Sequence, residues 1–343
     1  MGVSLRDIAL RAGVSVATVS NVVNGYRPVA EATKARVQEA IDEMGYSPNL
    51  SARHLRRGRT GFIALAIPEL NNPYFAELAD VAIAEAARHG YTVLLDSTNG
   101  EREKELAVVH GLRAQIVDGL IFSPAQLGRA DLEDRRDSVP LVLVGERIHD
   151  VAYDHISIDN IAASRVAVEH LVSLGRRRIA FVGAQDSDRQ PAGLRLQGYT
   201  EGVRAAGLAV DPRLVVRTPG FDRADGADGV APLLRRSDPP DAVFAYNDLI
   251  AVGVMRTAYE MGLRVPDDLA VVGFDDINEA RFTTPSLTTI APDKEDIGRL
   301  AVTALVSRIE GEDKVPREYE VPFRLVVRES TVGAARSEEE PGA

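Results

Sequence analysis

Asp275 and Asp276 are adjacent carboxylates that directly follow the apolar run LAVVGF. Paired carboxylates can act as a general acid and base, but neighbours at the end of one strand more often serve as a ligand acceptor and a cap. The six histidines, at positions 54, 89, 110, 149, 155 and 170, lack the spacing of metal ligands, and cysteine is absent. The sequence also lacks HExxH, the phosphate-binding GxxxxGKS or GxxxxGKT, GxSxG, and a GxGxxG after a strand. We therefore predict that the protein is not an enzyme and holds no cofactor or metal.

A different chemistry is indicated by the stretch VSVATVSNVVNG, residues 14–25, which has no charged residue although 27% of the chain is charged. At helical spacing the small residues Val16, Ala17, Ser20 and Asn21 share one side, and the valines at 19, 22 and 23 share the other. Small neutral side chains allow a helix to lie deep in the major groove of DNA, while charges on its flanks hold phosphates. An ordinary helical hairpin would show the same spacing, so geometry alone leaves both interpretations open.

Three short helices are predicted around this stretch. Ser4 and Asp7 form a capping pattern ahead of a helix over about 5–12. Gly13 then supplies a turn, and Ser15 can cap the second helix. A third helical pattern runs from about 31 to 44 and ends at Gly45. Helix, glycine turn and helix together match the helix-turn-helix pattern.

The next segment, SPNLSARHLRRGRT, predicts a helix of about eight residues between an N-cap at Asn49 and a C-terminal glycine at Gly58. A helix this short is not stable alone in water, so we expect it to form only when something packs against it. Residues 1–60 carry a net charge of +4, whereas the other 283 residues carry −15. This charge asymmetry indicates that the N-terminal end binds a polyanion.

From residue 61 onward, short apolar strands alternate with amphipathic helices in two successive series. Continuous Val, Ile, Leu and Phe strands between such helices are typical of parallel sheets covered on both faces. The predicted fold class is therefore α/β: an N-terminal three-helix helix-turn-helix domain with a hinge helix, followed by a bilobal, doubly wound core. Ligands of such sheets bind beyond the carboxyl ends of the strands, here in a cleft between the lobes.

The sequence resembles the LacI/GalR family of transcription regulators over essentially its whole length. LRDIALRAGVSVATVSNVVNG resembles the DNA-reading head of that family, and SPNLSARHLRRGRTGFIALAIP its hinge and first core strand. NPYFAEL, AYNDLIAVG, VVGFDD and PSLTTI resemble landmarks of its effector-binding core. Each fragment is weakly specific alone, but all of them in order are strongly specific. We divide the chain accordingly into a DNA-binding domain (1–46), a hinge (47–60), a first lobe (61–160 and 291–320), a second lobe (161–290 and 321–332) and a disordered tail (333–343).

The resemblance implies roles for DNA-contacting residues. Base readout falls on Val16, Ala17 and Asn21, where Asn21 can pair with adenine and the two apolar side chains can contact thymine methyl groups. Backbone or supporting contacts fall on Thr18, Ser20 and Asn24. In the hinge, the implied minor-groove residues are Ala52, Arg53, Leu55 and Arg56. Leu55 is expected to wedge between base pairs and bend the duplex.

The resemblance also implies an effector site between the lobes. Aromatic faces stack on a sugar ring or a base, and Arg, Asn and Asp supply donors and acceptors to hydroxyl groups. The implied residues are Tyr74, Phe75, Arg147, Asp159, Arg189, Arg195, Phe221, Asn247 and Asp275. Several family members have Asp at the position of Glu146, so we do not transfer a contact to that residue.

These features predict a transcription regulator, and more specifically a repressor, that binds a pseudo-palindromic operator in double-stranded DNA as a homodimer. Its operator affinity is expected to depend on a small-molecule effector, either a sugar or sugar derivative or, alternatively, a purine or nucleoside. A solute-binding protein would share the bilobal core but would lack the first 60 residues. The sequence has no signal peptide and no run of 18 uncharged apolar residues, so we expect a cytoplasmic protein without a membrane partner.

Overall fold

The computed structural model describes residues 3–24, 27–46, 59–111, 116–146, 148, 151–185, 191–312 and 315–333. The chain divides into two compact units, Met1–Gly61 and Phe62–Ala343. We call these units the head and the core. The predicted hinge helix, with Ala52, Arg53, Leu55 and Arg56, lies outside the described residues.

The described part of the head consists of α1 (Leu5–Ala12), α2 (Val16–Asn24) and α3 (Glu31–Met44). The predicted capping box is confirmed, because the Asp7 amide donates to Ser4 Oγ and the Ser4 amide donates to Asp7 Oδ2. Gly13 ends α1 at a φ of 64°, a left-handed conformation that favours glycine. The sequence therefore predicted these three helices correctly, including the turn between the first two.

The head has its own small apolar core. Ile8 from α1, Val19 from α2 and Val37 from α3 are fully buried and lie in one cluster. Val22 and Val23 are partly buried against the same cluster. The valine side of α2 therefore faces the other two helices, as its spacing predicted.

The core strands alternate with helices along the chain. In the described residues the strands are β1 (Phe62–Ile67), β2 (Thr92–Ser97), β3 (Gly119–Phe122), β4 (Leu141–Val144), β5 (Asp154–Ser157), β6 (Ile179–Ala184), β7 (Val215–Arg217), β8 (Ala242–Ala245), β9 (Ala270–Phe274), β10 (Thr288–Pro292), β11 (Glu318–Glu320) and β12 (Phe323–Val326). The helices are α4 (Pro73–Arg88), α5 (Arg102–Val109), α6 (Arg129–Glu133), α7 (Asn160–Ser173), α8 (Pro191–Ala205), α9 (Arg223–Leu234), α10 (Asp248–Glu260), α11 (Lys294–Ile309) and α12 (Glu329–Val332).

The described strands form two sheets, which define two lobes. The first-lobe sheet has the order β11-β5-β4-β3-β1-β2, and the second-lobe sheet has the order β12-β10-β9-β8-β6-β7. Neighbouring strands run parallel except β10 and β12, which run antiparallel. The central strands are buried along their whole length, which is typical of parallel sheets covered by helices. The prediction of a bilobal, doubly wound core is confirmed.

The chain passes between the lobes three times. It crosses after β5 to α7, after β10 to α11, and after β11 to β12. α11 belongs to the first lobe, since it packs on α4, β3 and β4. Sequence patterning did not resolve β5, β7, the last three strands or α11, because these elements are short or lack a regular apolar period.

Candidate functional site

α2 carries the first candidate site on its outward side. Val16 is 43% exposed and Ala17 is exposed, whereas Ser20 and Asn21 are half-buried at the edges. The helix has no charged residue. A helix with this small, neutral outward side has the dimensions needed to enter a major groove.

Ser15 and Thr18 fix the start of α2. Ser15 Oγ accepts a hydrogen bond from the Thr18 amide at 3.0 Å and lies 2.8 Å from the Thr18 hydroxyl. The predicted cap at Ser15 is confirmed. The Thr18 hydroxyl is therefore part of the cap, which supports the start of the helix. The side chain of Asn24 lies outside the described residues.

The second candidate site is a cavity of about 360 Å³ between the two lobes of the core. Every part of its lining comes from the carboxyl end of a parallel strand or from the start of the helix that follows. The first lobe supplies residues at the ends of β1, β2, β3, β4 and β5, and the second lobe supplies residues at the ends of β6, β7, β8, β9 and β10. This is the edge at which doubly wound sheets bind their ligands.

Most of the predicted effector residues meet in this cavity. Its lining includes Tyr74, Phe75, Arg195, Phe221, Asn247 and Asp275. The structure does not bring Asp159 to it: that side chain is exposed and accepts from the Ala162 amide at 2.8 Å, which caps α7. Arg147 and Arg189 lie outside the described residues.

Arg195 organises the second-lobe side of the cavity. The side chain is 7% exposed, and its Nε donates to Asn160 Oδ1 at 2.8 Å while Nη1 donates to the Tyr246 carbonyl at 2.5 Å. The guanidinium carbon lies 3.5 Å from the centre of the Phe274 ring, a cation–π contact. Arg195 Nη2 lies 3.6 Å from Asp275 Oδ1. The protein itself therefore holds this guanidinium in one orientation.

Asp275 provides a buried carboxylate acceptor in the cavity. The residue is 7% exposed, and burial raises the pKa of its carboxyl to about 6, although Arg195 and Lys294 both act to lower it. The nearby carboxylate of Glu146 raises this pKa further. At neutral pH Asp275 is thus ionised and can accept hydrogen bonds from hydroxyl groups. Its pKa lies closer to neutral pH than that of an exposed aspartate.

Aromatic rings line both sides of the cavity. Tyr74 and Phe75 at the start of α4 pack edge to face, with ring centres 5.2 Å apart. Phe221 stacks on Tyr246 with ring centres 4.0 Å apart and planes 25° from parallel. Two aromatic surfaces around a polar centre suit the apolar faces and hydroxyl edges of a sugar ring.

Asn247 has a structural role beside its position in the lining. Its Oδ1 accepts from the Ile250 amide at 2.9 Å and caps α10, and its Nδ2 donates to the Phe221 carbonyl at 3.1 Å. Asn247 therefore ties the loop after β7 to the loop after β8. Its amide supports the cavity wall as well as facing the cavity.

Sequence reasoning missed several polar and aromatic residues of the lining. They are Glu69, Asn72, Asn99, Ser123, Gln126, Glu146, Gln185 and Tyr246. Each follows an apolar strand within a few positions, and this spacing was visible in the sequence. Glu146 was set aside because it replaces the family's aspartate, yet it lies in the lining and accepts from the Ile158 amide at 3.1 Å.

The head and part of the core each match the model of a known protein family. Residues 4–49 match the model of bacterial regulatory proteins of the lacI family, and residues 168–331 match a periplasmic binding protein-like domain. The HTH-type transcriptional repressor CytR of Escherichia coli (strain K12) is 32% identical over 96% of both chains. The ribose operon repressor of Halalkalibacterium halodurans is 36% identical over 98% of this chain and 99% of its own. The chain belongs to the lacI family.

Solved structures extend this lacI-family assignment to the arrangement of the fold. A LacI-family regulator from Sanguibacter keddieii is 45% identical, with a TM-score of 0.74 over 80% of this chain and 100% of that one. The complex of the transcriptional regulator CelR with cellobiose is 33% identical, with a TM-score of 0.71 over 96% and 99%. The Lac repressor dimer bound to operator and the anti-inducer ONPF is 29% identical, with a TM-score of 0.81 over 96% and 99%.

As a member of the lacI family, the protein is a DNA-binding transcriptional regulator. Its curated relatives are transcriptional repressors rather than enzymes. Among the described residues, every helix is too short or too polar to cross a bilayer.

Proposed function

We propose that this lacI-family regulator is a repressor that binds a pseudo-palindromic operator as a homodimer, and that a sugar or sugar derivative in the core cavity controls its operator affinity. One observation carries the effector half of the proposal: the Arg195 and Asp275 side chains are held in a buried polar centre between two aromatic surfaces. The pair offers fixed donors and acceptors to hydroxyl groups, and the rings cover apolar faces.

Similar proteins support the same ligand class. The CelR complex contains cellobiose, and the relative from Halalkalibacterium halodurans is named for the ribose operon. A purine or nucleoside is the second candidate, since the Phe221 ring stacks on Tyr246 with one face and a base could stack on its other face.

For DNA, we propose base readout by Val16, Ala17 and Asn21, with Thr18, Ser20 and Asn24 in supporting roles. The exposed neutral side of α2 supports this assignment. We propose that the hinge binds the minor groove through Ala52, Arg53, Leu55 and Arg56. The proposal also keeps the division of the chain into a DNA-binding domain (1–46), a hinge (47–60), two lobes and a tail. Arg147 and Arg189 are retained as candidate effector contacts, whereas Asp159 is not, because it caps α7.

A homodimer agrees with the Lac repressor dimer and with the surface of the core. Large apolar side chains are exposed on both lobes: Leu70, Ile83 and Leu95 on the first, and Tyr259 and Phe282 on the second. Large apolar side chains gain free energy when another protein removes them from water. We propose that the subunit partner covers some of them.

A thermal-shift screen of sugars, nucleosides and purines tests the effector proposal. A ligand at 100 times its dissociation constant stabilises the fold by about 2.7 kcal/mol. We expect a sugar to stabilise the wild type and not Asp275→Ala, while Asp228→Ala, which removes an exposed carboxylate of α9, keeps the full response. A nucleoside that stabilises the wild type in place of any sugar would favour the second candidate.

A DNA titration at fixed salt then gives the sign of regulation. The titration uses the operator selected from a random pool by the ligand-free protein. We expect the ligand from the screen to change the operator affinity of the wild type and to leave that of Asp275→Ala unchanged. An affinity that the ligand does not alter would contradict control through the cavity.

A further inference from the structure

Two side chains of the first lobe bond to one backbone segment of the second lobe. Lys294, the first residue of α11, donates from Nζ to the Asp275 carbonyl at 2.8 Å and to the Asp276 carbonyl at 2.7 Å. Glu77 of α4 accepts from the Asn278 amide at 2.7 Å. The two side chains also pair with each other, with Nζ 2.6 Å from Glu77 Oε2. Three hydrogen bonds therefore join α4 and α11 to the segment 275–278, and the ion pair joins the two helices to each other.

The helices that carry this pair are packed closely together. Gly298 of α11 faces Val81 of α4, and a Cβ at Gly298 would lie 2.7 Å from Val81 Cγ1. A side chain at position 298 would therefore push the helices apart. Because the glycine allows close contact, Glu77 and Lys294 project from what is effectively one rigid surface.

The segment they hold has an unusual backbone. Asp275 and Asp276 have φ values of 110° and 46°, which side-chain-bearing residues rarely adopt. Such a conformation persists only where the surroundings support it. The second lobe supplies part of the support, since Arg328 pairs with Asp276 at 2.6 Å and Asp248 accepts from the Ile277 amide at 2.9 Å. Glu77 and Lys294 supply the rest from the opposite lobe.

The same segment carries the acceptor of the cavity. The Asp275 carboxylate lies 3.6 Å from Arg195, while the Asp275 carbonyl accepts from Lys294. Glu77 lies one helical turn beyond Tyr74, which lines the cavity from the first lobe. Any rotation of the lobes that breaks the Lys294 bonds must therefore act on the backbone that orients Asp275.

We propose that Glu77 and Lys294 are positioning residues that form a latch between the lobes. They hold the backbone of Asp275 and Asp276 in its left-handed conformation, keep the Asp275 carboxylate in the cavity and keep the lobes closed. The latch itself is a property of the ligand-free core, and its effect on effector affinity rests on the function proposed above.

Hydrogen exchange of the ligand-free, full-length protein tests the latch. Lys294→Met keeps the length of the side chain and removes the charge, whereas Lys294→Arg can still pair with Glu77 and donate to both carbonyls. We expect amides of residues 275–282 to exchange at least about tenfold faster in Lys294→Met and at the wild-type rate in Lys294→Arg. Glu77→Gln, which is nearly isosteric and loses the ion pair, gives the same test if Lys294→Met does not fold.

Two internal comparisons separate positioning from general stability. Lys104→Met breaks the exposed Lys104–Glu101 pair of the first lobe and should leave exchange at 275–282 unchanged. In Lys294→Met, exchange of β8 should also stay at the wild-type rate. Unchanged exchange at 275–282 in Lys294→Met, or equal acceleration of β8, would overturn the latch.

Calorimetric titration with D-ribose and with cellobiose adds the link to the effector. For a sugar that binds the wild type, we expect at least about tenfold weaker binding to Lys294→Met and recovery in Lys294→Arg. Binding that is equally strong in Lys294→Met would contradict the positioning of Asp275 by the latch. If neither sugar binds the wild type, the choice of effector is at fault, and the exchange measurement still decides the latch.

Discussion

The outward side of α2 and the cavity of the core differ in where their polar groups find partners. On α2 the side chains are small and neutral, and Val16 and Ala17 face outward. In the cavity the charged side chains Arg195 and Asp275 are nine-tenths buried and already contact protein groups. The head therefore offers a shape that another molecule completes, whereas the core offers charged groups that other groups of the protein hold in place.

This difference has a consequence for mutations. A buried charge that loses its partner destabilises the fold itself, because it can no longer be solvated. A neutral, exposed side chain can be removed with little effect on folding. We therefore expect loss of Arg195 to lower stability and ligand affinity together, and substitutions on the outward side of α2 to lower DNA affinity alone.

The largest expected effect is that of Arg195→Met. This change removes the donor to Asn160 and Tyr246 and the cation beside Asp275. Breaking a buried pair in this way costs about 3–5 kcal/mol of folding free energy. Urea unfolding of the full chain measures the loss. Arg256→Met is the matched control, since its pair with Glu260 is exposed and contributes well under about 1 kcal/mol. Equal losses of folding free energy in the two variants would contradict the expected difference between the buried pair of the cavity and the exposed surface pair.

The pH dependence of Asp275→Asn should be the next largest effect. Burial raises the folded-state pKa of Asp275 to about 6, from the ordinary value of 3.8 that applies in the unfolded chain. The folded state therefore binds this proton more tightly than the unfolded state, and the contribution of Asp275 to stability falls as the pH rises from about 4 to about 6. The free energy of unfolding of Asp275→Asn, relative to that of the wild type, should rise by about 1.4 kcal/mol for each pH unit in that interval and should not rise further above it.

Urea unfolding of both proteins at pH 4, 5, 6 and 7 measures this difference. Asp228→Asn, on the exposed side of α9, should show no such trend. A stability difference between Asp275→Asn and the wild type that stays constant from pH 4 to pH 7 would mean that Asp275 titrates like an exposed aspartate.

The head was predictable from sequence because its determinants are local. Ser4 with Asp7, Gly13 and Ser15 each act within four residues, and the structure has the helices where these signals set them. The buried Val19 follows from the period of a single helix. A short sequence window contains all the information that such a unit needs.

The core cavity was predictable only in part, because its residues come from strand ends far apart in the chain. Family resemblance supplied Arg195, Asp275 and the aromatic residues, but not Glu146 or Tyr246. Asp159, a further candidate at a strand end, instead caps a helix. Nothing local distinguishes a strand-end carboxylate that caps a helix from one that faces a cavity. That choice depends on how the strands of both sheets are ordered.

Asn21→Ala should have a smaller effect, on DNA binding alone. Loss of a side chain that pairs with one base costs about 1–3 kcal/mol, or roughly a tenfold to hundredfold loss in operator affinity. The salt dependence should stay the same, because a base contact neutralises no phosphate. Gln38→Ala removes an amide from α3, where it bonds to Asp42, and serves as the control. Equal operator affinity of Asn21→Ala and the wild type would break the assignment of base readout to this position.

Ser15→Ala has the smallest expected effect and tests whether the head depends on its own caps. Ser15 Oγ accepts from the Thr18 amide at the start of α2, and losing an N-cap of this kind costs about 1 kcal/mol. Amides of α1, α2 and α3 should therefore exchange about fivefold faster in the full-length variant, while those of β8 and β9 keep the wild-type rate. Ser173→Ala, at the C-terminal end of α7, removes a hydroxyl that caps no amide and should change neither set. Acceleration confined to the head would show that α2 holds its shape through local bonds, whereas unchanged exchange would mean that the buried valines alone hold the helix.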